Sequence, residues 1–228
     1  LVIEDAAESH LAKHAGRNTG AWGDLAIFSF TPSKPMTTGE GGMIVTDSDE
    51  LAAKCRLIKN FGDTDKFQWD ILGFNYRMPE VMGAIGRIQL QKLPAAVDRR
   101  REIARRFLDA FAKVPGLVCP FVRSWDDHNF QLFTLRVDSR VLSCSSKDII
   151  ADLIAAGVSS RLYYPSLHRQ KVFSAIPPRG GKFPNAVEYE RTSFSIPLYP
   201  SLTEDEIRVV IDVVTRVIGA RRGAGIDV

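Results

Sequence analysis

A chain of 228 residues, 45% of them hydrophobic, can bury a sizeable core as one large domain or two modest ones, and this composition excludes intrinsic disorder. The 30 Lys and Arg against 27 Asp and Glu give a net charge of +3, spread without a basic run interleaved with aromatics, so no nucleic-acid partner is expected. The basic cluster from Arg99 to Arg106 reads instead as one solvated helix face.

Cys55, Cys119 and Cys144 are odd in number and far apart, without the close pairs of a zinc site or a disulfide framework, and a reducing cytoplasm is the expected compartment. No apolar run approaches the ~20 residues that span a bilayer, and the first residues lack a signal-peptide layout, so no membrane association is expected.

In chain order, Leu1-Val2-Ile3 reads as a buried strand already under way, and an N-terminal portion is expected to be missing. Strands follow at Ala26 to Phe30 and Gly42 to Thr46. Continuous apolar strands of this kind belong to a sheet covered on both faces, an α/β layer structure. Asp49 to Phe61 has helical spacing, with Leu51, Cys55 and Ile58 on one face. The pattern stays helical from Pro79 to Lys92 and from Pro94 to about Val114, with Pro94 expected to break the helix or start a new one.

Pro115-Gly116 closes this region, giving an expected division into residues 1–114, part of a large α/β domain with connecting helices, and 115–228, a small α+β domain. The second unit is predicted to contain strands at Phe130 to Val137 and Val158 to Leu162, and helices at Ser146 to Ala156 and Thr203 to Ile218. The last opens Thr-Glu-Asp-Glu, an N-cap with a capping-box glutamate. The tail from Ala220 to Val228 is expected to fray.

Chemistry concentrates in Val2-Ile3-Glu4-Asp5-Ala6-Ala7-Glu8, Phe28-Ser29-Phe30-Thr31-Pro32-Ser33-Lys34 and Gly39-Glu40-Gly41-Gly42. Open α/β sheets bind ligands outside the carboxyl ends of their strands, where Asp5 stands, and Lys34 follows a second strand toward the same crevice. Singly, an acid after a strand is more often a helix cap and a lysine a surface charge. The glycines precede a strand and suit a tight turn better than a phosphate cradle. Thr37 and Thr38 are candidate lining residues without a demanded role. His10 and His14 are four apart with no third ligand suggested, so no metal site is expected.

In this order, the IEDAA strand end, the FSF…K segment and the GEGG turn make the chain resemble the DegT/DnrJ/EryC1/StrS family of pyridoxal-phosphate (PLP) dependent sugar aminotransferases. Gly73 to Met78, Gln89 to Leu93 and Ser195 to Pro200 extend the resemblance to about residue 218. It implies a fold-type-I, aspartate aminotransferase-like transferase, here a partial large domain plus an α+β small domain.

By that resemblance Lys34 holds PLP as an imine and moves protons, and Asp5 keeps the pyridine nitrogen protonated. Ser29 supplies a hydroxyl to the cofactor phosphate, and Asn75 reaches the phosphate of a neighbouring subunit, implying a homodimer with shared sites. Where the family usually has Gln or His three residues past the aspartate, contacting the cofactor ring region, this chain has Glu8. An acid beside the phenolic oxygen of PLP would repel it unless protonated or turned away, which leaves Glu8 a candidate cofactor-binding residue. His168 lies in a segment resembling the small-domain loop near the substrate, with a structural loop histidine an equal reading.

The implied reaction carries an amino group from glutamate to a keto-sugar on a nucleotide. Dehydrating relatives carry His where Lys34 stands, so lysine favours transamination. A non-catalytic regulatory or interaction protein that retains the fold is the rival reading.

Overall fold

The computed structural model describes residues 1–65, 67–175 and 182–223. They form β1 (Ile3–Asp5), β2 (Lys13–His14), β3 (Arg17–Asn18), β4 (Leu25–Ser29), β5 (Gly42–Val45), α1 (Asp49–Lys59), β6 (Asp63–Asp65), β7 (Gln68–Trp69) and α2 (Glu80–Phe111). Then come β8 (Leu117–Val118), β9 (Asp126–Asp127), β10 (Phe133–Val137), α3 (Ser146–Ala155), α4 (Pro184–Thr192), β11 (Ser193–Ile196) and α5 (Glu204–Gly223). The chain is mixed α/β and divides into two compact units, Leu1–Arg101 with Val122–Gln131, and Glu102–Phe121 with Leu132–Val228. No helix among the described residues is long and apolar enough to cross a membrane.

In the first unit β4 lies between β1, which it pairs in parallel, and β5, which it pairs antiparallel. Side chains alternate across a strand, so Ala26 and Phe28 point to one face while Leu25, Ile27 and Ser29 point to the other. On the first face Phe28 packs against a core of Phe30, Met36, Leu93 and Val97. On the second, Ile3, Ile27 and Ile44 remain exposed, so the two-sided cover expected for this sheet is absent among the described residues. Helix α1 buries none of its residues; its apolar stripe of Leu51, Cys55 and Ile58 is only half-buried. Its N-cap is Ser48, whose hydroxyl accepts from Leu51 N at 3.3 Å.

Helix α2 corrects the expected break at Pro94, which sits inside one continuous helix. An interior proline removes one hydrogen bond and costs ~3 kcal/mol. Burial of Leu93 and Val97 in the first unit and of Ile103, Phe107 and Phe111 in the second offsets that cost, at about 1.5–3 kcal/mol per side chain. The same residues explain why contacts divide the chain after Arg101, whereas Pro115-Gly116 marks only the end of the helical run. The basic cluster is not uniformly solvated either. Arg100 is buried, and its Nη1 donates to the carbonyls of Phe130 at 3.2 Å and Gln131 at 3.4 Å.

The second unit packs helices on an antiparallel sheet in the order β11-β10-β8. Central β10 alternates buried Phe133, Leu135 and Val137 with half-buried Thr134 and exposed Arg136. Phe107, Phe111 and Phe133 form an aromatic cluster with centroids 5.2–6.5 Å apart. Helix α5 buries Ile207, Val210, Val214 and Ile218 along one stripe and opens with the expected capping box, Glu206 N donating to Thr203 Oγ1 at 3.2 Å and Thr203 N to Glu206 Oε2 at 2.7 Å.

The strand expected at Val158 to Leu162 is instead a loop with one bridge. Arg161 and Ser195 exchange backbone hydrogen bonds, and the Ser160 hydroxyl also donates to the Ser195 carbonyl, which leaves no ladder to extend. Helix α4 and strand β11 had no counterpart in the periodicity reading. Helix α5 continues to Gly223 through part of the expected frayed tail; residues 224–228 lie outside the described residues.

Candidate active site

Asp5 ends β1 in register with Ile27 of β4, and Ser29 follows two residues later on the same sheet face. The carboxylate of Asp5 is oriented by its own loop, Oδ1 accepting from Ala7 N at 3.1 Å. The Ser29 hydroxyl is half-buried, and its contacts with Thr31 are long, 3.4 Å to both the backbone nitrogen and Oγ1. Beyond Ser29 the chain makes a loop pinned at Phe30, whose carbonyl accepts from Thr38 N at 3.0 Å and Thr37 Oγ1 at 2.9 Å, and whose N–H donates to Gly41 O at 2.8 Å. These bonds account for Thr37. Thr38 is buried and donates to the Glu40 carbonyl. The glycine run bends into β5: Gly41 has φ +151°, and a Cβ there would lie 2.7 Å from Met78 and from Thr38.

The loop presents Lys34, whose side chain is 13% exposed and whose Nζ donates to Glu8 Oε1 at 2.6 Å. Glu8 is thus turned toward the lysine. The segment 122–131, which returns to the first unit after α2, braces both partners. Asn129 Nδ2 donates to the carbonyls of Glu8 at 2.7 Å and His10 at 3.1 Å, and Gln131 Nε2 donates to the carbonyl of Ser33. Asn129 Oδ1 accepts from Gln131 N at 3.2 Å. No sequence signal ties Asn129, Gln131 or Arg100 to Lys34, because all three are remote from it in the chain and none stands in a chemically recognisable spacing.

His10 is buried against Phe28 and Phe30, ring centroids 5.3 and 6.0 Å away, and among the described residues neither ring nitrogen has a hydrogen-bond partner of ordinary geometry, the Ser29 backbone lying near without making one. Burial pushes its imidazole below the ordinary value, with the Lys34 cation adding to that and the Ser29 backbone opposing it. It borders an apolar cavity of about 370 Å³ lined also by Phe28, Met43, Met78 and Leu90; Asp5, Glu8, Ser29 and Lys34 do not line it.

Asn75 is not among the hydrogen-bond partners of Asp5, Ser29 or Lys34. It is exposed on the stretch before α2, bridged to Asn60, and its Oδ1 accepts from Arg77 Nε at 3.2 Å. His168 lies in the second unit on a short 3₁₀ turn, its ring 5.0 Å from that of Phe183. Of the five candidate site residues, the structure therefore joins Lys34 to Glu8 and sets Asp5 and Ser29 on one sheet face.

The GDP-perosamine synthase of Caulobacter vibrioides is 35% identical over 221 residues, covering 96% of this chain and 59% of that protein. The dTDP-3-amino-3,4,6-trideoxy-alpha-D-glucose transaminase of Streptomyces venezuelae is 33% identical over 215 residues, covering 93% and 55%. The crystal structure of S. venezuelae DesV superposes with a TM-score of 0.87 at 32% identity, over 95% of this chain and 57% of that one. The chain thus spans under two-thirds of the length of these relatives. The model of the DegT/DnrJ/EryC1/StrS aminotransferase family matches residues 1–215, nearly the whole chain, and the chain belongs to that family.

Proposed function

We propose that the protein to which this chain belongs transfers an amino group, from glutamate as donor, to a keto-sugar carried on a nucleotide, with pyridoxal 5′-phosphate as cofactor and as a homodimer. The observation that carries the reading is the little-exposed Lys34 amine in the loop that follows β4, the strand whose Ser29 shares a sheet face with Asp5. The family supports the reaction class, and two relatives named for nucleotide-linked amino sugars support the substrate class.

The side chains fit the cofactor in kind: a primary amine, a carboxylate oriented by a backbone amide, and a hydroxyl whose internal hydrogen bonds are long. When bound, PLP supplies the aldehyde that takes up the amino group and a ring that withdraws electrons from the substrate's α-carbon. Asp5 keeps a proton on the pyridine nitrogen. Ser29 donates to the phosphate, and Asn75 does so in the neighbouring subunit's site. Lys34 anchors the cofactor and carries the proton to and from the reacting carbon.

Borohydride reduction of the full-length protein with PLP, followed by peptide mapping, tests this directly. The adduct is expected on Lys34, together with a yellow colour that glutamate discharges. An adduct on another lysine, or a colourless protein, overturns the reading and favours a non-catalytic role for the fold.

A further inference from the structure

A protonated lysine cannot attack a carbonyl, because the lone pair it needs is occupied by the proton. Lys34 must therefore pass a proton to some group before it bonds to an aldehyde. Among the described residues the acceptor hydrogen-bonded to its Nζ is the carboxylate of Glu8, at 2.6 Å, a separation typical of a charge-assisted bond. The contact is held from outside the pair. Asn129 fixes the backbone carbonyl of Glu8, and Gln131 fixes that of Ser33, next to Lys34. His10 is a further titratable group coupled to this lysine.

We propose that Glu8 is the proton-exchange partner of Lys34, a further catalytic residue that rests on the PLP reading above. The Lys34 ammonium N–H bond breaks and its proton passes to Glu8 Oε1. The freed lone pair forms a bond to the aldehyde carbon of PLP, and the carbonyl oxygen takes one of the two protons left on nitrogen. Glu8 then returns its proton to that oxygen, which leaves as water while the nitrogen lone pair completes the C=N bond. The lysine nitrogen keeps one proton and the positive charge, and Glu8 ends as it began. Run in reverse, the same exchange releases Lys34 when the amino group passes to the cofactor. The departure at this position thereby acquires a role: an amide would hold the lysine without being able to take its proton.

The test uses the full-length protein and its Glu8→Gln and Glu8→Gly variants. The rate of Lys34 capture by PLP is followed by absorbance, and affinity is measured separately with pyridoxine 5′-phosphate, which lacks the aldehyde. In Glu8→Gln, capture is expected to slow about 100-fold, the lower end of general acid–base contributions. Affinity for pyridoxine 5′-phosphate is expected to stay within about threefold, as for an interaction that matters only in the chemical step. In Glu8→Gly, added formate should restore capture in proportion to its concentration. A Glu8→Gln capture rate within about twofold of wild type would remove the proton role, because general base catalysis contributes far more than that. So would parallel losses of rate and analogue affinity without formate rescue, which would make Glu8 a structural support. A wild-type adduct on a lysine other than Lys34 would instead sink the underlying PLP assignment.

Discussion

Asn129 donates from Nδ2 to the backbone carbonyl of Glu8 at 2.7 Å, joining residues 121 apart in sequence. Its second bond reaches the His10 carbonyl, and its Oδ1 accepts from Gln131 N. One buried amide thus holds the turn after β1 against the segment that returns from α2.

Asn129→Ala removes three hydrogen bonds to backbone groups, two of them buried. At about 1–3 kcal/mol for each unsatisfied group, partly relieved by relaxation, a loss of about 2–4 kcal/mol is expected. Urea unfolding of the full-length protein measures it, and a change below ~0.5 kcal/mol, the scale of an ordinary surface substitution, would show that the brace is unimportant.

His10 should make stability depend on pH. Burial holds its folded value below the ordinary one, so the unfolded chain binds a proton first as pH falls through about 6.5. The stability it contributes is present above that pH and declines below it. His10→Leu is expected to flatten the decline between pH 6.5 and 5 in urea midpoints. Some slope should remain from His128, which burial also pushes down, aided by Arg101 and opposed by Asp126. An unchanged slope in His10→Leu would contradict the assignment.

Asp5→Ala should separate chemistry from binding. Loss of a carboxylate that acts on charge at the pyridine nitrogen is expected to lower turnover about 10²–10³-fold. The affinity for PLP should fall much less, since in the proposed reading anchoring rests on Lys34 and the phosphate contacts. Turnover near wild type in Asp5→Ala would be incompatible with the proposed role.

Asn75 and Lys34 can be assigned to the same or different subunits by mixing. Asn75→Ala and Lys34→Ala proteins are each expected to be inactive. After subunit exchange, hybrid dimers carry one intact and one doubly damaged site, so about a quarter of wild-type activity should return from an equal mixture of a two-fold symmetric dimer. Exchange without recovery would place both residues in one subunit's site.

Short-range information in the sequence carried much of the outcome. Apolar runs placed β1, β4 and β5, helical spacing placed α1, α3 and α5, and the Thr203–Glu206 box marked the start of α5, because strand alternation and capping act within a few residues. Asp5 was legible as a strand-end residue for the same reason, whereas Ser29 was singled out only by the family resemblance. Tertiary structure decided what local pattern cannot reach. The burial of Arg100 depends on the carbonyls of Phe130 and Gln131, and the pairing of Glu8 with Lys34 on two turns that meet across 26 residues. Pro94 stays inside α2 because the buried side chains on either side of it outweigh one missing hydrogen bond, a balance set by the cores of the two units and invisible in the helix's own sequence.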